Sequence, residues 1–353
     1  MDTIEVSLAV TGDLGMDLVQ SFIMEINSLK SPYGYTFSDV IEVSKKGNII
    51  IKISYPRYFY GNNAYLISKR SECFEVQKYF AENIMEHEFW KQNIGELCLL
   101  RVDIPFTYYM DDKESFTGYE NIYRICAVVY NELKKGARPK AFVDIIDKSF
   151  ETVIYSDNGK SDKSANNKLM VYNQYENLNK KLDKEVFEEI LQAYEDLPNR
   201  IRMEVSKRIK LRKTFDSQRF AEFDILGSYF EDYKKYILNY ALNINKIDML
   251  YDIWGEELAE ILIEKRKNIN FNYEIFVLEN LLDLCDKGYI YDYEILRRAI
   301  NIAIKNENTR ENAITRVRKI LTRIEEEKEL IVMNTYAVLL KMARTINKSK
   351  LMD

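Results

Sequence analysis

Two short runs near the middle of the chain carry side chains able to do phosphoryl chemistry. In KLMVYNQYENL, Leu169 and Val171 alternate with Met170 and Tyr172; in RIRMEVSKRIKLRK, Ile201, Met203 and Val205 alternate with Arg202, Glu204 and Ser206. Residues two apart on a strand share a face, so Arg202 and Glu204 belong to one side of a sheet. A tyrosine, a carboxylate and an arginine brought onto one sheet are the groups needed to cut DNA through a phosphotyrosine. The phenol attacks, and fixed charge steadies the phosphate as the 3′ oxygen departs. Tyr172 is the first candidate nucleophile, with Tyr175 and Tyr155 as alternatives, and Arg202 is the candidate phosphate clamp.

Such a reaction also calls for a Lewis acid. The chain holds one histidine, His87, so a two-histidine metal site cannot form within it. Oxygen ligands remain, and these suit the hard ions Mg²⁺ or Mn²⁺. Asp103 and Glu204 are the candidate ligands, with Glu176 as a third. Asp103 lies between apolar residues on an expected strand, where an unpaired carboxylate is costly. Directly after the arginine–glutamate run come Lys207, Arg208, Lys210, Arg212 and Lys213, uninterrupted by an acid. Their position beside the candidate site suits contact with DNA phosphates, although such a run also serves as a solvated face.

The elements that must position these groups follow from breakers and periodicity. None of the five prolines lies beyond Pro198, and glycines beyond it occur only at 227, 255 and 288. With apolar residues at helical spacing, that stretch predicts an all-α domain over 214–353. The first 213 residues read as mixed. A hairpin is expected at 39–43 and 49–55, a helix at 71–92, a strand at 97–106 and a helix at 122–133. A second hairpin at 141–146 and 152–155 follows, then a strand at 168–172, a helix at 184–193 and a strand at 201–209. This order predicts an α+β domain, an antiparallel sheet backed by helices.

Composition narrows the rest. The 353 residues are 46% apolar and carry a net charge of −5, so any DNA binding must come from local patches. Four scattered cysteines, at 73, 98, 126 and 285, have no zinc or disulfide spacing and fit reduced core thiols in a cytoplasmic protein. No signal peptide or membrane span is expected.

In order, YPRYFYGNNAYLI, LLRVDIPF, TVIYSDNGK, KLMVYNQYENL and NRIRMEV resemble rolling-circle replication initiators, the gene II/X-like phage and plasmid replication proteins and related relaxases. The resemblance covers roughly residues 40–215. It implies a site-specific nickase that cuts one strand of single-stranded or supercoiled origin DNA, keeps the 5′ phosphate on a tyrosine and leaves a 3′ hydroxyl for a polymerase. Arg101 and Asp103 match the family's R-x-D strand, and Arg202 and Glu204 its R-x-E strand. Tyr172, Gln174 and Glu176 match its Y-x-K-x-E element, with glutamine standing where lysine is usual. Pro105 and Thr107 occupy positions where a second acid is expected. Those departures leave room for a non-catalytic origin-binding protein, and a helical adaptor for a host helicase or polymerase is a third reading. A homodimer is compatible with any of them. In the helical part, Arg297 and Arg298 follow an expected turn at 287–288, and Arg316, Arg318 and Lys319 lie further on. A helix-turn-helix reader of the origin has this pattern, as does a bundle with salt-bridged faces.

Overall fold

The structure is a computed structural model that describes residues 1–10, 16–43, 48–88, 90–111, 122–123, 125–129, 140–146, 149–156, 167–286, 292–328 and 334–353. The sheet-bearing part comprises β1 (Thr3–Val10), α1 (Met16–Ser28), β2 (Ser38–Val43), β3 (Ile49–Ser54), α2 (Tyr55–Tyr60), α3 (Arg70–Phe80) and β4 (Ile94–Tyr109). It continues through β5 (Lys140–Ile146), β6 (Ser149–Ser156), β7 (Asn167–Asn173), α4 (Gln174–Lys181), α5 (Lys184–Ala193) and β8 (Arg200–Phe215). The helical part comprises α6 (Ser217–Glu222), α7 (Ile225–Tyr240), α8 (Ile244–Lys265), α9 (Tyr273–Asp286), α10 (Tyr293–Ala303), α11 (Glu307–Lys328) and α12 (Thr335–Lys348). The α+β class, with an antiparallel sheet followed by helices, is therefore the observed one.

The described strands form one sheet in the order β2-β3-β1-β4-β8-β7-β6-β5, every neighbouring pair antiparallel. Its first four strands, with α1 and α3 between them, have the β-α-β-β-α-β order of a ferredoxin-like unit. The long strand β8 docks on β4 and extends that unit with the β7-β6-β5 meander.

Several elements depart from expectation. The opening strand β1 and helix α1 were not anticipated. Yet Ile4, Val6 and Leu8 alternate strictly with Thr3, Glu5 and Ser7, and the three apolar residues are fully buried. The expected helix at 71–92 ends as α3 and a π-turn at Ala81–Met85. The last strand runs to Phe215 rather than 209 because β4 supplies a long partner, pairing Leu97 with Phe215. The expected turn at 287–288 and residues 130–133 of the expected helix lie outside the described residues.

The two faces of the sheet differ. Ile4, Val102, Ile104, Leu169, Val171, Ile201, Met203 and Val205 face a core that continues into the helices, where Phe106 meets Phe230 at 5.2 Å. The sheet and helical parts thus share one hydrophobic core. The other face carries the polar residues of every central strand. A smaller core of Ala64, Leu178, Phe187, Ile190 and Leu197 seats the segment after α2 together with α4 and α5.

Candidate active site

Register gathers the polar side chains. Asp103 of β4 lies between Thr3 of β1 and Ser206 of β8. Arg202 of β8 lies between Thr107 of β4 and Tyr172 of β7, and Glu204 lies between Pro105 and Met170. Even-numbered positions of β7 and β8 therefore line up with odd-numbered positions of β1 and β4 on one face. Glu5 and Arg101, paired two residues on from Thr3 and Asp103, stay on that face, and the register shifts begin only beyond them, between Glu5 and Val6 and between Leu99 and Arg101.

The contacts within this face are direct. The Tyr172 hydroxyl donates to Glu204 Oε2 at 2.9 Å. Asp103 accepts from the Thr3 hydroxyl at 2.8 Å, from Arg101 Nε at 3.2 Å and from the Ser206 hydroxyl. Arg202 is 1% exposed and gives Nη1 to the Asn63 carbonyl at 3.0 Å. Its Nε and Nη2, Asp2 Oδ1 and Gln174 Oε1 are buried without a hydrogen-bond partner among the described residues. Unmatched polar atoms at this depth cost about 1–3 kcal/mol each.

Electrostatics follow from that burial. Desolvation, reinforced by Asp2 and Asp103 and opposed by Arg202 and Tyr172, pushes the Glu204 carboxyl up to about 7. Asp2 is raised as well, first by burial, with Arg202 opposing and Asp103 reinforcing. Burial and the neighbouring Glu204 hold the Tyr172 phenol well above its ordinary value. Burial opposes charge on Arg202, but Tyr172, Asp2 and Glu204 outweigh it and hold the guanidinium cationic. Lys168, whose register partner is Ser206, is lowered by burial and by Arg101. A carboxylate near neutrality hydrogen-bonded to a phenol can take the phenol's proton.

The ligand set expected for a metal is only partly assembled. Both Asp103 oxygens are occupied by protein donors. Glu176 sits past the strand end in the first turn of α4, its backbone N–H capped by Asn173. Among the described residues no group of three or more His, Cys, Asp or Glu side chains is arranged to hold a metal ion. The unpartnered Asp2 Oδ1 and Glu204 remain, and Mg²⁺-type ions need only one or two protein carboxylates beside a substrate phosphate.

Other sequence candidates scatter. Tyr175 packs its ring on Phe187 at 5.1 Å, in the small core. Tyr155 pairs with Leu169, out of the Tyr172 row, and nothing of its side chain is described. Within the basic run, Lys207 lies over the rings of Tyr233 and Tyr236 at 4.7 and 4.6 Å, and Lys213 over Phe223 at 4.6 Å. Arg208 is exposed and pairs with Arg101 in register. The side chains of Lys210 and Arg212 lie outside the described residues. In the helical part, Arg297 forks onto Glu294 at 2.7 Å from both nitrogens. Arg298 reaches Glu294, Asp248 and Asp252. Arg316 lies over Tyr273, and Arg318 over Tyr293, while Lys319 is exposed.

Sequence reasoning missed Thr3 and Glu5, which arrive on the unanticipated β1, and Asp2 just before it. It also missed the loop carbonyls of Asn63 and Ala64, which Arg202, Arg200 and Gln174 grip. The alternation of β1 was the available signal for Thr3 and Glu5; Asp2 and the carbonyls left none. No protein-family model matches the chain, and no curated protein matches it. No described helix is long and apolar enough to cross a membrane.

Proposed function

We propose that the chain nicks one strand of origin DNA to start rolling-circle replication, with Tyr172 as the nucleophile. The observation that carries this reading is the Tyr172–Glu204 hydrogen bond beside an arginine with two unpartnered donors. Glu204 takes the phenol proton as the Tyr172 oxygen attacks phosphorus. The bond from phosphorus to the 3′ oxygen breaks, and that oxygen leaves and takes up a proton to become the 3′ hydroxyl. Arg202 Nε and Nη2 meet the non-bridging oxygens, where a fixed cation is worth most as charge builds. Asp2 and Glu204 would hold a Mg²⁺ or Mn²⁺ ion, which would supply Lewis acidity at the phosphate. Because Tyr172 is 4% exposed, the strand reaches it only when the Asn63–Ala64 segment held by Arg200, Arg202 and Gln174 moves aside.

A second reading, an origin-binding protein without chemistry, is favoured by Gln174. In place of a lysine it donates to Asn63 O and Ala64 O at 3.1 and 2.9 Å, pinning the segment that covers the site. The two readings separate when the protein is mixed with single-stranded and supercoiled DNA spanning its own gene's flanks, with Mn²⁺ or EDTA, and run on a denaturing gel. Nicking predicts a metal-dependent covalent protein–DNA band that Tyr172→Phe abolishes while binding persists. Tight, salt-sensitive binding with no covalent band on any segment favours the silent binder.

A further inference from the structure

Sharing no residue with the Tyr172 cluster, α3 with its π-turn and α6 flank a groove of about 930 Å³. Ser71, Phe74, Lys78 and Glu82 recur at helical spacing along one wall, and Gln218, Ala221 and Glu222 line the other. Behind the groove Phe80 meets Phe220 at 6.2 Å, and the buried Gln77 amide donates to the carbonyls of Phe220 and Phe223 at 2.6 and 2.9 Å. The walls are thus fastened to each other and the groove is preformed, which lowers the cost of filling it. From Ser71 to Glu86 it runs about 22 Å at 1.5 Å per residue, about four helical turns.

The floor is apolar and the rim acidic. Phe74 is half-buried, and Ala81 and Ala221 are small enough for another backbone to come close. Around them stand Glu75, Glu82, Glu86 and Glu222, all exposed. Glu86 accepts from the Ser217 hydroxyl and Glu222 from the Gln218 amide at 3.2 Å, neutral donors that leave both charges in place. Among the described residues lining the groove Lys78 is the one cation, 3.7 Å from Glu82. Four glutamates against one lysine leave the rim with an excess of three negative charges.

We propose that this groove docks an amphipathic helix of a partner protein, its apolar stripe on the floor and lysines or arginines along its flanks. A groove between two helices takes such a stripe, and complementary charge at the edges selects the partner. DNA does not suit the groove, because its phosphates meet the glutamates. A second copy of this chain does not suit it either: α8 leaves Met249, Ile253 and Ile261 exposed, but Glu256, Glu257 and Glu260 stand among them and bring like charge. The docking does not depend on the nicking chemistry.

The test follows three fluorescein-labelled peptides of about 15 residues by fluorescence anisotropy with the intact chain. One carries a leucine stripe flanked by lysines, the second holds the same residues in an order that breaks the stripe, and the third has glutamate for every lysine. The striped basic peptide should bind about tenfold tighter than its scrambled form, since only the stripe reaches the floor, and the acidic peptide should not bind. Glu75→Gln with Glu82→Gln and Glu222→Gln, all exposed and checked for fold by circular dichroism, should weaken the striped peptide about tenfold and flatten its salt dependence. Glu75→Lys with Glu82→Lys and Glu222→Lys should switch the preference to the acidic peptide. Equal binding of the striped and scrambled peptides would overturn the proposal, and so would a glutamine variant that binds like the parent. Displacement of the peptide by equimolar spermidine would make a small polyamine the occupant. Dimerisation of the chain in sedimentation velocity, lost in the glutamine variant, would put a second copy there, and either result would overturn the proposal. Nicking by the glutamine variant should match the parent; loss of the adduct from the parent would sink the nicking reading and leave the docking standing.

Discussion

The helical and sheet parts each bury a cluster of charged and phenolic groups, and the two are finished differently. In the helical part Asp292, wholly inaccessible, accepts from the Tyr251 hydroxyl at 2.9 Å and from the backbone N–H groups of Glu294 and Tyr336. Beside it, each guanidinium nitrogen of Arg298 has an oxygen partner across α8 or within α10. On the sheet, Arg202 is more deeply buried, yet among the described residues only its Nη1 has an acceptor, the Asn63 carbonyl, and Asp2 Oδ1 has no donor. A satisfied network fastens helices together. An unsatisfied one costs stability.

Substitutions in the two clusters should have unequal consequences. Arg298→Ala should destabilise the fold by about 3 kcal/mol in urea unfolding, because Asp248, Asp252 and Glu294 lose their shared cation. Nicking by the remaining folded protein should be unchanged; a matching fall in both would erase the distinction between the clusters.

Glu204 predicts a pH dependence of similar size. Its folded value near 7 lies above the ordinary 4.5, so the folded state holds the proton more tightly than the unfolded chain. That contribution is fully present below about pH 4.5 and is lost as pH rises through about 7, on the order of 3 kcal/mol. Stability of the parent should therefore fall across that window relative to Glu204→Gln. Asp292 is raised only to about 6, because backbone and tyrosine donors offset its burial. Its window has the same sign and closes about one pH unit earlier.

Tyr251→Phe should cost about 2 kcal/mol, the loss of one hydrogen bond to a buried carboxylate. It should also raise Asp292 further, which a shifted pH–stability profile would register. The smallest effect is a shift in titration. Asp2→Asn removes a like charge from beside Glu204 and should bring the Glu204 carboxyl back toward its ordinary range, moving the pH–stability profile to lower pH. The same change should weaken nicking, and a variant with full activity would show that Asp2 plays no part in it.

How much of this was legible in the sequence depends on the range of the interactions. Tyr172, Arg202 and Glu204 were readable because strand alternation is local, and Asp103 because its strand was apolar on both sides. Thr3 and Glu5 were equally local, carried by the Ile4–Val6–Leu8 alternation, whereas Asp2, just before β1 and of the opposite parity, left no local signal. Arg297 and Arg298 were half legible. Glu294 stands three and four residues before them, a spacing that pairs charges on a helix, but Asp248 and Asp252 come from α8 and no local pattern announces them. Lys207 resembled a phosphate contact until α7 brought Tyr233 and Tyr236 beneath it. Long-range packing decides which cations remain for a ligand, and one sequence carries no record of that packing.

The most direct test maps the covalent product. The protein is incubated with its flanking single-stranded DNA and Mn²⁺, digested with nuclease and protease, and the nucleotide-bearing peptide is sequenced by mass spectrometry. A nucleotide 5′ phosphate is expected on the peptide carrying Tyr172, absent from Glu204→Gln at neutral pH. A nucleotide on Tyr155, Tyr175 or any other residue, or no adduct on any flanking segment, would contradict it.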